Sequence, residues 1–113
     1  MNILFNSSKE RKDIVKATTA SEALKDHVGK DVTIKNIISY QKDEEADIIF
    51  AVETEELGWL YTNSPTVKNV LESVTAGYEK EEINAGVPVR ILTQKSKAGR
   101  DFYLIFSFFW AVK

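Results

Sequence analysis

The period of the apolar positions changes several times along the 113-residue chain, and each change marks an element. DVTIKNIISYQ, residues 31–41, alternates as a strand does, with Val32, Ile34 and Ile38 assigned to one face and Thr33, Lys35 and Ser39 to the other. The neighbours Ile37 and Ile38 break the alternation, which implies a bulge or burial on both sides. ADIIFAVET, residues 46–54, alternates Ile48, Phe50 and Val52, and LGWLYTN, residues 57–63, reads as a third strand. The period then becomes helical. In SPTVKNVLESVTAGY, Ser64 is a preferred N-cap, Pro65 suits the first helical position, and Val67, Val70, Leu71 and Val74 form one stripe that Gly77 ends. VPVRILTQ, residues 87–94, is a fourth strand, KSKAG a turn, and RDFYLIFSF, residues 100–108, a fifth. In the fifth, Phe102, Leu104 and Phe106 share the core face, and Tyr103 and Ile105 the other.

The flanks are less regular. Residues 1–12, MNILFNSSKERK, read as a frayed start or a short edge strand. Ser21 is placed to cap a short helix carrying Leu24 and Val28 on one face and ending at Gly29. His27 falls in its last turn, where the helix dipole favours it, and no chemistry is assigned to it. YEKEEINAG, residues 78–86, is a charged connector anchored by Ile83.

Three strands, a helix, then a closing hairpin is the element order of the five-stranded Greek-key barrel called the OB-fold. The expected class is therefore mainly β: an OB-fold-like barrel with a helix between strands 3 and 4 and a short N-terminal helix. One domain spans residues 1–113, with the barrel core over about 30–108. Small mixed sheets with one helix are the competing architecture.

Composition narrows the chemistry. The sequence has no cysteine, which removes disulfides and thiolate chemistry, and one histidine, which removes a multi-histidine metal site. No signal pattern opens it, and its longest apolar run, FSFFWAVK, is too short to cross a bilayer, so a cytoplasmic protein without membrane contact is expected. Enzyme readings find little. There is no glycine-rich phosphate loop, Glu55 and Glu56 are adjacent and point apart on a strand, and KDEEAD lacks the spacing and glycine of a calcium loop. The expectation is a protein with no catalytic residues, metal or cofactor.

Charge changes the picture more. Residues 41–86 hold Lys42, Lys68 and Lys80 against eleven acids, whereas residues 87–113 hold five basic residues against Asp101 alone. A chain of net charge −2 thus has a cationic hairpin, and segregated charge bears on partners.

GWLYTNSPTVKNVLES, a strand passing into a capped helix, and VRILTQKSKAGRDFYLIF, a hairpin with a basic turn, give the chain a resemblance to the small OB-fold single-stranded DNA-binding proteins of phages and mobile elements of low-GC Gram-positive bacteria. The resemblance covers roughly residues 30–108 in element order and rests on loose motifs. It implies nucleic-acid binding without catalysis, in support of DNA replication or recombination. Bacterial single-strand binding proteins carry an acidic C-terminal tail that recruits partners; FFWAVK stands there instead, so tail-mediated recruitment is not carried over.

Binding single strands without reading sequence takes flat rings for the bases and cations for the phosphates. Trp59 and Tyr61 lie two apart on the third strand and share a face. If Leu60 points inward, they form an open platform; if not, they are core. Lys95, Lys97 and Arg100 supply the hairpin cations, Arg90 has the outward parity of its strand, Tyr103 that of the fifth, and Tyr40 with Lys42 starts the loop between strands 1 and 2. The same KSKAGR turn would also serve as a soluble hairpin tip. The acidic KDEEAD loop opposes the binding reading by repelling phosphate.

The expected partner is single-stranded nucleic acid, DNA ahead of RNA, with replication proteins as further candidates. The rival is an interaction or inhibitor module of the same fold, binding a host or replication protein through its acidic surface and apolar C-terminus. Phe108, Phe109 and Trp110 need covering, by the N-terminal segment or in a homodimer.

Overall fold

Alternating Val, Ile and aromatic residues build β-strands here because one sheet face is buried against helices. The computed structural model describes residues 1–95 and 102–108, and of 102, 103, 107 and 108 the backbone alone. The order is β1 (Asn2–Asn6), α1 (Lys12–Thr18), a 3-10 turn (Leu24–His27), β2 (Asp31–Gln41), β3 (Ile49–Thr54), β4 (Gly58–Thr62), α2 (Pro65–Gly77), α3 (Lys80–Ala85), β5 (Val87–Lys95) and β6 (Phe102–Phe108). The protein is mainly β, as expected.

The strands form one six-stranded antiparallel sheet in the order β4-β3-β2-β5-β6, with β1 added to β2. β2 is long enough to serve two partners along one edge: Asp31–Ile34 pair with β5, and Ile38–Gln41 with β1. The sheet is open. Its outer strands β4 and β6 are not paired with each other among the described residues.

The ladder between β2 and β3 shifts register between Ile34 and Asn36. This bulge explains the Ile37–Ile38 doublet, because an extra residue reverses the facing of everything after it. Val32, Ile34 and Ile37 enter the main core, while Ile38, expected beside Val32 and Ile34, faces the opposite side. The main core adds Phe50, Val52, Leu60, Val89, Ile91, Leu104 and Phe106 from the sheet, and Val67, Leu71 and Val74 from α2.

Three short elements differ from expectation. The N-terminal α-helix forms at Lys12–Thr18 and not after Ser21, where Leu24–His27 make only a 3-10 turn with no side-chain cap. The start of the chain is the edge strand β1. The charged connector holds a helix, α3, because the side chain of Glu79 accepts from the Glu82 backbone while that of Glu82 accepts from the Glu79 backbone N–H. Ile83 is fully buried, as anticipated.

Among the described residues, no helix is long and apolar enough to cross a membrane. The C-terminal residues 109–113, and with them the proposed cover or dimer contact of Phe109 and Trp110, lie outside the described residues.

Candidate nucleic-acid interface

The pleat of β4 decides the question its sequence left open. Leu60 and Thr62 are buried on the core side, so Trp59 and Tyr61 occupy the other face of the sheet, each half-buried. That face is not bare. α1 crosses β2, β3 and β4, and its Ala17 packs with Ile38, Tyr40 and Ala51, joined at the margin by Ile14, Ile49 and Trp59. α1 thus builds a second, smaller apolar cluster on the outer side of the sheet.

Tyr40, expected at the surface as a contact residue, is 4% exposed inside this cluster and offers no open ring face while α1 stays in place. Burial raises its phenol above the usual tyrosine range, with a further push from nearby Tyr61. Trp59 pays differently for the cover: its indole Nε1 is buried and finds no acceptor among the described residues. An orphaned buried donor costs on the order of 1–3 kcal/mol.

Tyr61 also reaches the sheet edge. Its backbone N–H donates to the Glu22 carbonyl at 3.0 Å, and Ala23 bridges to it in parallel. This pins the chain just before the 3-10 turn onto the outer edge of β4. Beside that pin opens a cleft of about 500 Å³. Tyr61, Asn63 and Ser64 line one wall, Ala23, Lys25 and Val28 another, and Thr93 and Leu104 a third. Thr93 and Leu104 are register partners in the two arms of the β5–β6 hairpin. The cleft therefore joins the end of β4 to the arms of the cationic hairpin.

Lys95 is exposed at the end of β5, two residues beyond Thr93. Lys97 and Arg100 lie outside the described residues, as does the side chain of Tyr103, whose backbone pairs with Gln94. Arg90 does point outward, as its parity implied, but is committed to Asp31: its Nε donates at 2.6 Å and its Nη2 at 3.1 Å to the two carboxylate oxygens. These hydrogen bonds hold the Asp31 carboxyl below the usual aspartate range.

Along β2, the acidic turn and the hairpin lie beyond opposite ends. Lys42–Asp47 follow the C-terminal end of β2, whereas β5 runs past its N-terminal end, from Arg90 opposite Asp31 onward to Lys95. Across the sheet, however, Phe50, three residues after Asp47, pairs with Thr62, which lines the cleft, so the acidic turn stands towards the β4 wall of the cleft and opposes phosphate there.

Sequence reasoning did not foresee a role for Lys25 in the cleft or for Lys9, Arg11, Lys12 and Lys16 around α1. Of these, Lys12 is paired with Glu10 at 3.1 Å. Among the described residues, no cluster of carboxylates and histidine is arranged to hold a metal ion. Comparison with known protein families, curated sequences and solved structures finds no match to this chain.

Proposed function

We propose that this chain binds single-stranded nucleic acid, DNA ahead of RNA, with little sequence preference and without catalysis. We infer with it that the open sheet is an OB-type barrel parted at the seam between β4 and β6. The support for the barrel is the strand order β4-β3-β2-β5-β6 with α2 inserted between β4 and β5. One observation carries the binding reading: Tyr61 and both arms of the cationic hairpin border the same cleft. A strand laid from the β4 face across this cleft meets rings first and hairpin cations next. Stacking on Trp59 and Tyr61 would contribute about 1–3 kcal/mol per base, with Lys95, Lys97 and Arg100 on the phosphates. The role that fits is cytoplasmic handling of single strands during phage or mobile-element replication or recombination, alongside replication proteins.

The rival, a module that binds a protein partner, draws on the exposed Ile3 and Leu4 of β1. They stand next to the acidic turn, since Asn2 pairs with Gln41. Tryptophan emission separates the two. Oligothymidylate added at low salt should quench Trp59, and affinity should fall as salt rises. Unchanged emission together with unchanged electrophoretic mobility of the oligonucleotide, at every salt concentration, would leave the partner-binding reading in place.

A further inference from the structure

We propose that α1 is a displaceable cationic cover: the bound strand takes its place over Trp59 and Tyr40, and Arg11, Lys12 and Lys16 turn from the protein surface to the phosphates. This rests on the single-strand-binding reading above.

Four observations lead to it. The first is that α1 closes the face that the reading needs. Tyr40 is buried beneath it and Trp59 half-buried at its margin, so its removal would open rings on β2 and β4 together. The second is that the closed arrangement is imperfect, because the Trp59 indole N–H is buried without an acceptor among the described residues. A well-matched permanent interface pairs such a donor.

The third is that α1 is weakly built. It has seven residues and no side-chain cap at Arg11. It meets the sheet through Ile14 and Ala17 while Val15 is 63% exposed. A helix this short is not stable in water without its contacts, so undocking and melting are one event. The fourth is that the segment is tied at both ends. Before it, Ser7 donates its backbone N–H to the Ile37 carbonyl at 3.1 Å, and its Oγ accepts from the Ile37 N–H at 2.8 Å. After it, Ala23 is bridged to Tyr61 on β4. Residues 8–21 can lift as a strap without releasing β1, the Glu22–Tyr61 hydrogen bond or the 3-10 turn.

The charge of the strap fits its exchange with a polyanion. Lys9, Arg11, Lys12 and Lys16 stand against Glu10 and Asp13, and Asp13 is turned inward, where it accepts a hydrogen bond from Ser8 Oγ. The cations are exposed, and Lys12, paired with the equally exposed Glu10, would exchange that partner for a phosphate of the strand that displaces the helix.

A cover that must open lowers apparent affinity by the fraction of molecules that are open. The native chain has no cysteine. Ala17→Cys with Ala51→Cys therefore supplies one disulfide that ties α1 to β3. The oxidised variant should bind oligothymidylate at least about tenfold more weakly than the same sample after reduction. Equal affinity in both states would overturn the cover while leaving the binding reading intact. No binding by the unmodified chain would remove the reading itself. Hydrogen exchange on the unmodified chain gives a second measure that needs no disulfide. Amides of Ile14–Thr19 should exchange faster at saturating oligonucleotide while those of β2 keep their protection. Unchanged or slower exchange in α1 on binding would overturn the proposal.

Discussion

Tyr40 shows how much one residue's role depends on a contact distant in sequence. Plain alternation within β2 put it with Val32, Ile34 and Ile38 on the core face; the bulge after Ile34 turned it to the outer face, where the helix that covers it lies more than twenty residues earlier, and periodicity carries no such information. Trp59 was left between two orientations that only the structure decided. Leu60 between two aromatics has only two orientations on a strand, and the core took the aliphatic one. The buried Tyr40 phenol has a pH consequence. Its raised pKa means the folded state holds its proton where the unfolded chain has lost it. Its contribution to stability is complete below the ordinary tyrosine pKa of about 10 and is lost as pH rises from there through the folded value. Thermal melts taken from neutral to alkaline pH should decline above that point, and Tyr40→Phe should decline less. A variant as alkali-sensitive as the parent would show that Tyr40 is not the group responsible.

At the scale of elements, the long periodic segments were readable and the short ones were not. β2 and α2 matched their anticipated bounds because each carries its own signal: an eleven-residue alternation in one, and Pro65 at the start and Gly77 at the end of a clear stripe in the other. α1 has Arg11 where a capping side chain would stand and exposes Val15, so neither its start nor its apolar stripe was distinctive. α3 is capped by a glutamate pair inside a run of charge that reads as loop. The bulge in β2 was half visible, since the Ile37–Ile38 doublet signalled a break without saying which residue would change face. Gly86, which passes α3 into β5, makes the most testable joint. Its φ of +117° is a conformation that L side chains rarely adopt, and an added Cβ would meet Thr33 Cγ2 at 3.0 Å. Gly86→Ala should therefore cost more than about 1 kcal/mol, since backbone strain alone is of that order. Urea titration reads this as a lower midpoint at unchanged slope, and an unchanged midpoint would mean the joint relaxes.

For the whole molecule, the division of charge matters more than its total. The acidic turn and the cationic hairpin lie beyond opposite ends of β2, so along that strand the fold keeps apart what the sequence had already segregated. The net charge of −2 consequently does not describe what a strand meets at the cleft. That separation makes a quantitative demand on the salt dependence of binding. Each phosphate contacted on a single strand adds about 0.7 to the slope of log affinity against log salt. Replacing Lys95, Lys97 and Arg100 together with glutamine should lower the magnitude of that slope by about 2, alike for oligothymidylate and mixed sequences. Lys42→Gln, two residues past Tyr40, should lower it by no more than one phosphate's share of about 0.7, because Lys42 stands among the carboxylates of the acidic turn. If the triple variant kept the parent slope, the hairpin cations would not be on the phosphates, and the cleft they border would have to serve another ligand. If Lys42→Gln lowered the slope as much as the triple variant does, the phosphates would be held chiefly at the Tyr40 end of β2 and not at the hairpin.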